Sequence, residues 1–275
     1  MSRSNVYSLH FQSIMKKIIY VIVVSWVTLF WQACEKYEMV QYGEGGEINF
    51  MGDYYRGQKT KPWWVDEVQY LNYEKNFGLN TLGDSLIFDT LQIGVKVMGI
   101  PVNHPRKVVF TTRAPKQHAL EVIFPEEYYV PADTGVAVFK VLVKRPAERN
   151  AVYTADLVFD YARSDFKAGT DERQVFPLKA RDEVTMELWG ITEEEWEYYG
   201  IFFGDYSETK ARFLITAFGC VSFNDWTMED EFMEIVFGNT LYDMLEEYKS
   251  DPSNPPLIDE HTGEWIEFPD LSEIL

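Results

Sequence analysis

The sequence has 275 residues, with 25 Lys and Arg against 44 Asp and Glu, so its net charge is −19. This balance, together with 46% hydrophobic residues, excludes a disordered tail, a collagen-like chain and a disulfide-stapled miniprotein. At about 100 to 200 residues per domain, the chain is expected to form one or two domains. We expect no nucleic-acid partner, because phosphate binding needs clustered Lys and Arg.

The beginning of the chain has the pattern of an export signal. Residues 1–33 contain basic but no acidic side chains. Lys16 and Lys17 precede an apolar run, 18–30, that is shorter than a membrane-spanning helix needs. We therefore predict a signal peptide over residues 1–33, with Met15 as the true start of translation.

A cysteine follows this signal directly. Ala33-Cys34 places a small residue before a cysteine, which resembles the lipobox of a bacterial lipoprotein, although Trp31 stands where Leu is usual. On this interpretation Cys34 becomes the mature N-terminus and carries lipid. Glu35 and Glu38 then resemble the signal that exports Bacteroidetes-type lipoproteins to the outer face of the outer membrane. The alternative is an ordinary signal peptide with an incidental cysteine.

The second cysteine, Cys220, lies in an apolar stretch, 217–221. A single cysteine in such a setting is usually a small buried hydrophobic residue rather than a nucleophile. Because lipidation would occupy Cys34, we predict no disulfide. Residues 34–83 are expected to be the lipidated N-terminus, a flexible tether through Gly46 and a lead-in segment.

Residues 84–188 have the pattern of strands separated by turns. Leu91, Ile93, Val95 and Val97 fall on every second position, which places them on one face of a strand. Proline and Asp-Thr-Gly turns separate the runs, and no helical pattern intervenes. We therefore predict a mainly β protein with some α, whose first domain is an immunoglobulin-like antiparallel β-sandwich. The further predicted strands are 107–112, 120–124, 136–143, 152–161 and 175–188.

The spacing of apolar residues becomes helical after Trp189. Thr227 is a predicted helix N-cap, because acidic residues follow it where the helix dipole favours them. Pro252 marks the end of the last helix. Residues 189–275 are therefore predicted to be a smaller, mainly helical C-terminal domain with a terminal hairpin. Its predicted elements are 210–218, where a strand stays possible, helical stretches at 232–236 and 241–248, and a hairpin at 257–268.

The sequence contains no recognisable catalytic or metal-binding pattern. His104, His118 and His261 are far apart, and neither a His-Glu-x-x-His nor a Cys-x-x-Cys motif occurs. The nucleophile elbow of serine hydrolases and the glycine-rich phosphate loop are also missing. The acidic runs 193–195 and 229–231 are better explained as first turns of helices than as the paired carboxylates of a glycosidase. We predict a protein that is not an enzyme and has neither cofactor nor metal.

Aromatic residues are the remaining candidates for a binding site. Trp63 and Trp64 are adjacent, and exposed Trp rings stack on sugars or pack against partner proteins. We predict that these two residues contact a ligand or partner. The alternative is that most aromatic residues, Trp189 among them, fill the seam between the sandwich and the helices.

Two short motifs complete the pattern. One is the run 203–210, which contains Tyr206-Ser207 and Lys210, and the other is the ending Gly263 to Pro269. In this order, after a lipobox and an immunoglobulin-like region, they resemble Bacteroidetes outer-membrane lipoproteins classed as a domain of unknown function.

Members of that family are often encoded beside SusC/SusD-type nutrient importers, and the resemblance carries no catalytic residue over to this chain. It implies a TonB-dependent transporter and its SusD-type lid lipoprotein as partners. Our functional hypothesis is a non-enzymatic accessory subunit for uptake of oligosaccharide or peptide at the outer membrane. A stand-alone glycan-binding lipoprotein is the alternative, and a degradative hydrolase is a third, less favoured one.

Overall fold

The computed structural model describes residues 46–53, 71–225 and 231–270. The first part of this region is a β-sandwich, and a small helical part follows it. The strands are β1 (Glu47–Asp53), β2 (Tyr73–Asn76), β3 (Phe88–Met98), β4 (Arg106–Val108), β5 (Phe110–Arg113), β6 (Val122–Ile123), β7 (Tyr128–Val130), β8 (Val136–Lys144), β9 (Val152–Phe159), β10 (Lys167–Ala168) and β11 (Val175–Arg181).

The sandwich consists of two sheets with mainly antiparallel neighbours. One sheet has the order β10-β1-β3-β8-β6, the other has the order β2-β11-β9-β5, and β4 and β7 form a separate pair. Two pairs at the sheet edges, β1 with β10 and β2 with β11, are parallel. The predicted fold class is confirmed, and these parallel edge pairs were not part of the prediction.

The alternating apolar pattern lines the core as expected. Leu91, Ile93, Val95 and Val97 of β3 are all buried between the sheets. Phenylalanines pack across the interior, and the ring centroids of Phe50 and Phe159 lie 4.2 Å apart. Stacked rings of this kind add to the stability that burial of their apolar surface provides.

The sandwich includes strands from ahead of residue 84, its predicted start. β1 lies between β10 and β3, and its Ile48 and Phe50 side chains are completely buried. β2 pairs with β11, and Tyr73 of β2 is buried as well. The described residues 46–53 and 71–76 therefore contribute directly to the core.

The helical part begins soon after β11. Its helices are α1 (Met186–Trp189), α2 (Glu193–Tyr198), α3 (Gly200–Phe203), α4 (Glu208–Phe218) and α5 (Glu231–Ser250). Single 3-10 turns lie before β3 at Gly83–Ser85, before β11 at Asp171–Arg173, and after α4 at Phe223–Asp225. The helices surround a second apolar core, in which Trp189, Phe203, Leu214 and Ile215 are fully buried. None of the helices in the described residues is both long and apolar enough to cross a membrane.

Local sequence explains where these helices begin and end. Thr192 and Glu195 form a reciprocal capping box at α2, so the acidic run 193–195 is its first turn. Residues 210–218 are helical rather than extended, and Gly219 ends α4 in the left-handed conformation with φ of 72°. α5 joins the two stretches that the sequence separated, and the predicted N-cap Thr227 lies outside the described residues.

The terminal hairpin is reduced to a single antiparallel bridge. Ile258 pairs with Trp265, and the amide of Ile266 donates to the carbonyl of Leu257 at 2.9 Å. Ile266 and Phe268 are buried in the helical core. The end of the described chain therefore packs on the helices.

Candidate functional site

Three residues that were predicted to carry lipid or to contact a ligand, namely Cys34, Trp63 and Trp64, lie outside the described residues. Trp189 is fully buried, and its indole N–H donates to the carbonyl of Cys220 at 3.2 Å, so its ring is part of the core rather than a contact surface. Cys220 itself is half-buried.

The first short motif contacts the segment that precedes the second one, residues 258–260. Glu260 accepts hydrogen bonds from the backbone amides of Glu208 and Thr209 in the first turn of α4. The Thr209 hydroxyl donates to the carbonyl of Ile258 at 2.8 Å. The terminal segment is therefore attached to the N-terminus of α4 through residues that lie just before the second motif.

Ser207 and Lys210 of the first motif are structural in this arrangement. The Ser207 hydroxyl caps α4 by accepting from the Lys210 amide at 3.2 Å, and Ser207 is fully buried. Its hydroxyl also donates to Asp259, where burial is outweighed by hydrogen bonds that lower the pKa of this carboxyl. Lys210 Nζ donates to the carbonyl of Asp205 at 2.9 Å, and burial lowers the pKa of Lys210. Both side chains are therefore enclosed by the protein.

A cluster of charged residues joins the sandwich to the helices. Asp182, immediately after β11, is buried between Arg145 Nε at 2.7 Å and Arg212 Nη1 of α4 at 2.8 Å. The contact with Arg212 is an ion pair without the alignment of a hydrogen bond. Arg145 and Arg149 in turn hold the two oxygens of Asp84, at 2.8 and 2.9 Å.

Glu208 completes this cluster by accepting from Arg212 Nε at 2.8 Å. Burial alone would raise the pKa of Asp182, but the hydrogen bond from Arg145 and the charge of Arg212 lower it overall. For Arg212, burial is outweighed by Asp182 and Glu208, which raise its pKa. With three arginines and three carboxylates, the formal charges of the cluster cancel.

A cleft of about 570 Å³ opens beside this charged cluster. The 3-10 turn Gly83–Ser85 and Arg149 form one wall, α4 forms the second, and the C-terminal end of α5 with residues 254–258 forms the third. This volume lies within the range of roughly 300–1,000 Å³ that is typical of small-molecule sites. The cleft is therefore the candidate functional site of the described chain.

Both polar and apolar groups line the cleft. Asp84 and Arg149 are the accessible charged groups, with side chains 70% and 47% exposed. Phe213 and Tyr248 contact each other edge to face, and the Tyr248 hydroxyl donates to the carbonyl of Pro255 at 3.0 Å. Burial and the charge of Asp84 raise the pKa of Tyr248, so this hydroxyl stays protonated.

No sequence motif could have revealed this cleft. Asp84, Arg149, Arg212 and Tyr248 come from four distant segments, and each taken alone resembles an ordinary surface residue. Only the packing of α4 and α5 on the end of the sandwich brings them together. Within the described residues, no group of three or more His, Cys, Asp and Glu side chains is placed to hold a metal ion.

A second cleft of about 590 Å³ lies on the sandwich, where β4 and β5 meet the segment before β7. Its Lys107 pairs with Glu127 at 2.8 Å, and its Arg163 pairs with Asp160 at 2.6 Å. Tyr128 donates to the carbonyl of Lys140, and burial raises its pKa to about 12. Lys107 and Arg163 are exposed, and in the part of the chain that the structure describes no buried charged residue comparable to Asp182 holds their ion pairs in place. This cleft is therefore the weaker candidate.

Solved structures resemble the chain only weakly. Bacteroides thetaiotamicron EndoBT-3987, solved with a Man5GlcNAc product, has 9% identity over 45% of this chain and 31% of its own, with a TM-score of 0.32. The Calx CBD1 domain has 7% identity over 50% of this chain and 98% of its own, with a TM-score of 0.29. The CsuC-CsuE pilus complex of Acinetobacter baumannii has 12% identity over 46% and 59% of the two chains, with a TM-score of 0.25. These likenesses carry no argument about function.

Sequence comparison is more informative about family. No curated protein matches the sequence. The model of a domain of unknown function, DUF4843, matches residues 82–220, just over half of the chain. The match covers β3 to β11 and α1 to α4, the region that holds most of the sandwich and the charged cluster. This chain therefore belongs to the DUF4843 family of domains of unknown function.

Proposed function

We propose that this protein is a non-enzymatic, lipid-anchored accessory subunit of a SusC/SusD-type nutrient importer on the outer face of the outer membrane. The observation that carries the proposal is the N-terminal pattern: Lys16 and Lys17, a short apolar run, and Cys34 followed by acidic residues. The family resemblance adds the importer as the partner. Oligosaccharide or peptide is the cargo class of such importers.

The chemistry of the candidate site supports a binding role. A general acid needs a carboxyl whose pKa is raised toward neutrality. In the charged cluster Asp84, Asp182 and Glu208 each face an arginine, and the pKa of Asp182 is lowered. Ser207 is enclosed at the start of α4 and offers no nucleophile. The cleft is better suited to holding a ligand than to cleaving one.

Affinity purification from detergent-solubilised outer membranes tests this proposal. The tagged full chain is expected to retain a TonB-dependent transporter and its SusD-type lipoprotein in stoichiometric amounts, identified by mass spectrometry. A Cys34→Ser variant is the control, because it cannot be lipidated and is expected to leave the membrane fraction. Recovery of the wild-type chain alone from the membrane would contradict the accessory role.

A stand-alone surface glycan-binding lipoprotein is the second candidate, and the cleft favours it independently of any transporter. Calorimetric titration of Trp63→Ala and Trp64→Ala variants against polysaccharides tests the contribution of the predicted aromatic pair. A solitary binder is expected to lose affinity in these variants. Degradation of a glycan or peptide that disappears when one carboxylate is replaced would instead establish the hydrolase hypothesis.

A further inference from the structure

We propose that the cleft beside the charged cluster binds a neutral oligosaccharide. This inference rests on the proposed function, since it names the cargo class and the site that holds it. Three properties of the cleft lead to it: fixed polar groups with spare hydrogen-bonding capacity, the absence of net charge in the charged cluster, and an apolar part of the lining that includes aromatic and proline side chains.

The polar groups are held in place before any ligand arrives. Each Asp84 oxygen accepts one arginine hydrogen bond, and a carboxylate oxygen accepts about two. Arg149 donates to Asp84 through Nη2, and guanidinium provides about five donors in all. An acceptor and a donor therefore stand side by side and open to solvent. Adjacent sugar hydroxyls, which both donate and accept, complement such a pair.

Charge selects against the main alternatives. The three arginines and three carboxylates of the cluster cancel, and the whole chain has a net charge of −19. An acidic saccharide would be repelled at long range by the net negative charge of the chain. A cationic ligand would be repelled by Arg145 and Arg149, which both lie against Asp84. A neutral polar ligand avoids both penalties.

The apolar side chains of the cleft complement the non-polar faces of sugar rings. They are Leu82, Phe213 and Tyr248, together with the Pro255-Pro256 pair, whose backbone angles are restricted. A rigid lining lowers the entropy lost on binding. A peptide added as a strand would need an open strand edge, and in the described chain the cleft is lined by a turn, helices and an irregular segment.

Isothermal titration calorimetry of the full chain in detergent tests the inference. The probes are neutral hexasaccharides of glucose, mannose, galactose and xylose, with an oligogalacturonate and an uncharged hexapeptide as competitors. At least one neutral hexasaccharide is expected to bind, and neither competitor is expected to displace it. Binding of the oligogalacturonate or the peptide alone, or of no probe, would overturn the inference.

Two variants locate the binding. Arg149→Ala removes a donor and is expected to weaken binding by about tenfold. Leu82→Trp, at a side chain that is 60% exposed, places a large ring in the cleft and is expected to abolish binding. The matched controls Arg113→Ala and Tyr198→Ala change exposed residues outside the cleft and are expected to bind as wild type. Unchanged affinity in both cleft variants, with unchanged melting temperatures, would refute the site.

The outcome is independent of the importer test. Sugar binding by a chain that retains no transporter would leave the cleft site standing and contradict the accessory role. Retention of the transporter without sugar binding would support the accessory role and contradict the cleft site. Since the cleft variants change residues exposed to solvent, loss of folding does not confuse the two results.

Discussion

Asp182 is the residue on which the joint between the sandwich and the helices depends. Its side chain is only 5% exposed and lies between two guanidinium groups. Replacing it by Ala leaves Arg145 and Arg212 buried without their shared counter-charge. We expect Asp182→Ala to lower the free energy of unfolding by about 3–5 kcal/mol, measured by urea denaturation at pH 7.

The matched control for this change is Asp156→Ala. Asp156 pairs with Arg113 at 3.9 Å on the exposed face of β9. An exposed ion pair of this kind contributes at most about 1 kcal/mol. If both variants lost the same stability, burial would not be the source of the effect, and the structural role assigned to the charged cluster would be wrong.

The lowered pKa of Asp182 also makes stability depend on pH. An unfolded Asp has a pKa of about 3.9, and in the folded protein the value is lower, so between the two the unfolded state binds more protons. The stabilisation is therefore complete above the unfolded pKa and is lost as the pH falls through the folded pKa.

We expect the difference in stability between wild type and Asp182→Asn to be constant from pH 5 to 7 and to shrink below about pH 4. Urea denaturation at each pH measures it. A difference that grew as the pH fell would mean that the folded-state pKa of Asp182 is raised rather than lowered.

At the scale of elements, α4 is the helix that connects most parts of the fold. It supplies Arg212 to the charged cluster and Phe213 to the cleft, and its N-terminus receives the terminal segment through Glu260. Helix N-termini leave amide groups unsatisfied, which is why a side-chain cap and a carboxylate are placed here.

Loss of that cap should weaken the protein measurably. Ser207→Ala removes the acceptor for the Lys210 amide and a donor to Asp259. We expect it to lower the free energy of unfolding by about 1–2 kcal/mol. Thr170→Ala is the control, because Thr170 precedes a 3-10 turn without a side-chain capping bond and should change stability little. Equal losses in the two variants would show that the cap of α4 is unimportant.

At the scale of the whole molecule, local patterns and distant contacts differ in what the sequence reveals. The alternation in β3 and the spacing in α4 are local, so both elements could be predicted. The parallel pairing of β1 with β10 joins residues more than a hundred positions apart, and no local pattern encodes it. The cleft could not be predicted from the sequence for the same reason. Its residues Asp84, Arg149 and Tyr248 become neighbours only after the sandwich and the helical part have folded.

The family match and the folding unit also have different boundaries. Residues 82–220 match the family, yet the described part of the fold begins at Gly46 and ends at Asp270. A chain limited to 82–220 lacks β1, so β3 and β10 lose the strand between them, and Ile48 and Phe50 leave the core. It also lacks α5, whose Leu241 and Leu245 are buried in the second core.

We therefore expect the 82–220 fragment not to fold, whereas a 42–275 fragment should unfold cooperatively. Truncating one buried Phe to Ala costs about 3–5 kcal/mol, and a whole domain is stable by only about 5–15 kcal/mol, so losing β1 and α5 together exceeds the available stability. Near-ultraviolet circular dichroism and amide chemical-shift dispersion compare the two fragments. Native-like dispersion in the short fragment would mean that β3, β8, β9 and β11 suffice as a folding core, and that β1 and α5 were added to a domain already stable without them.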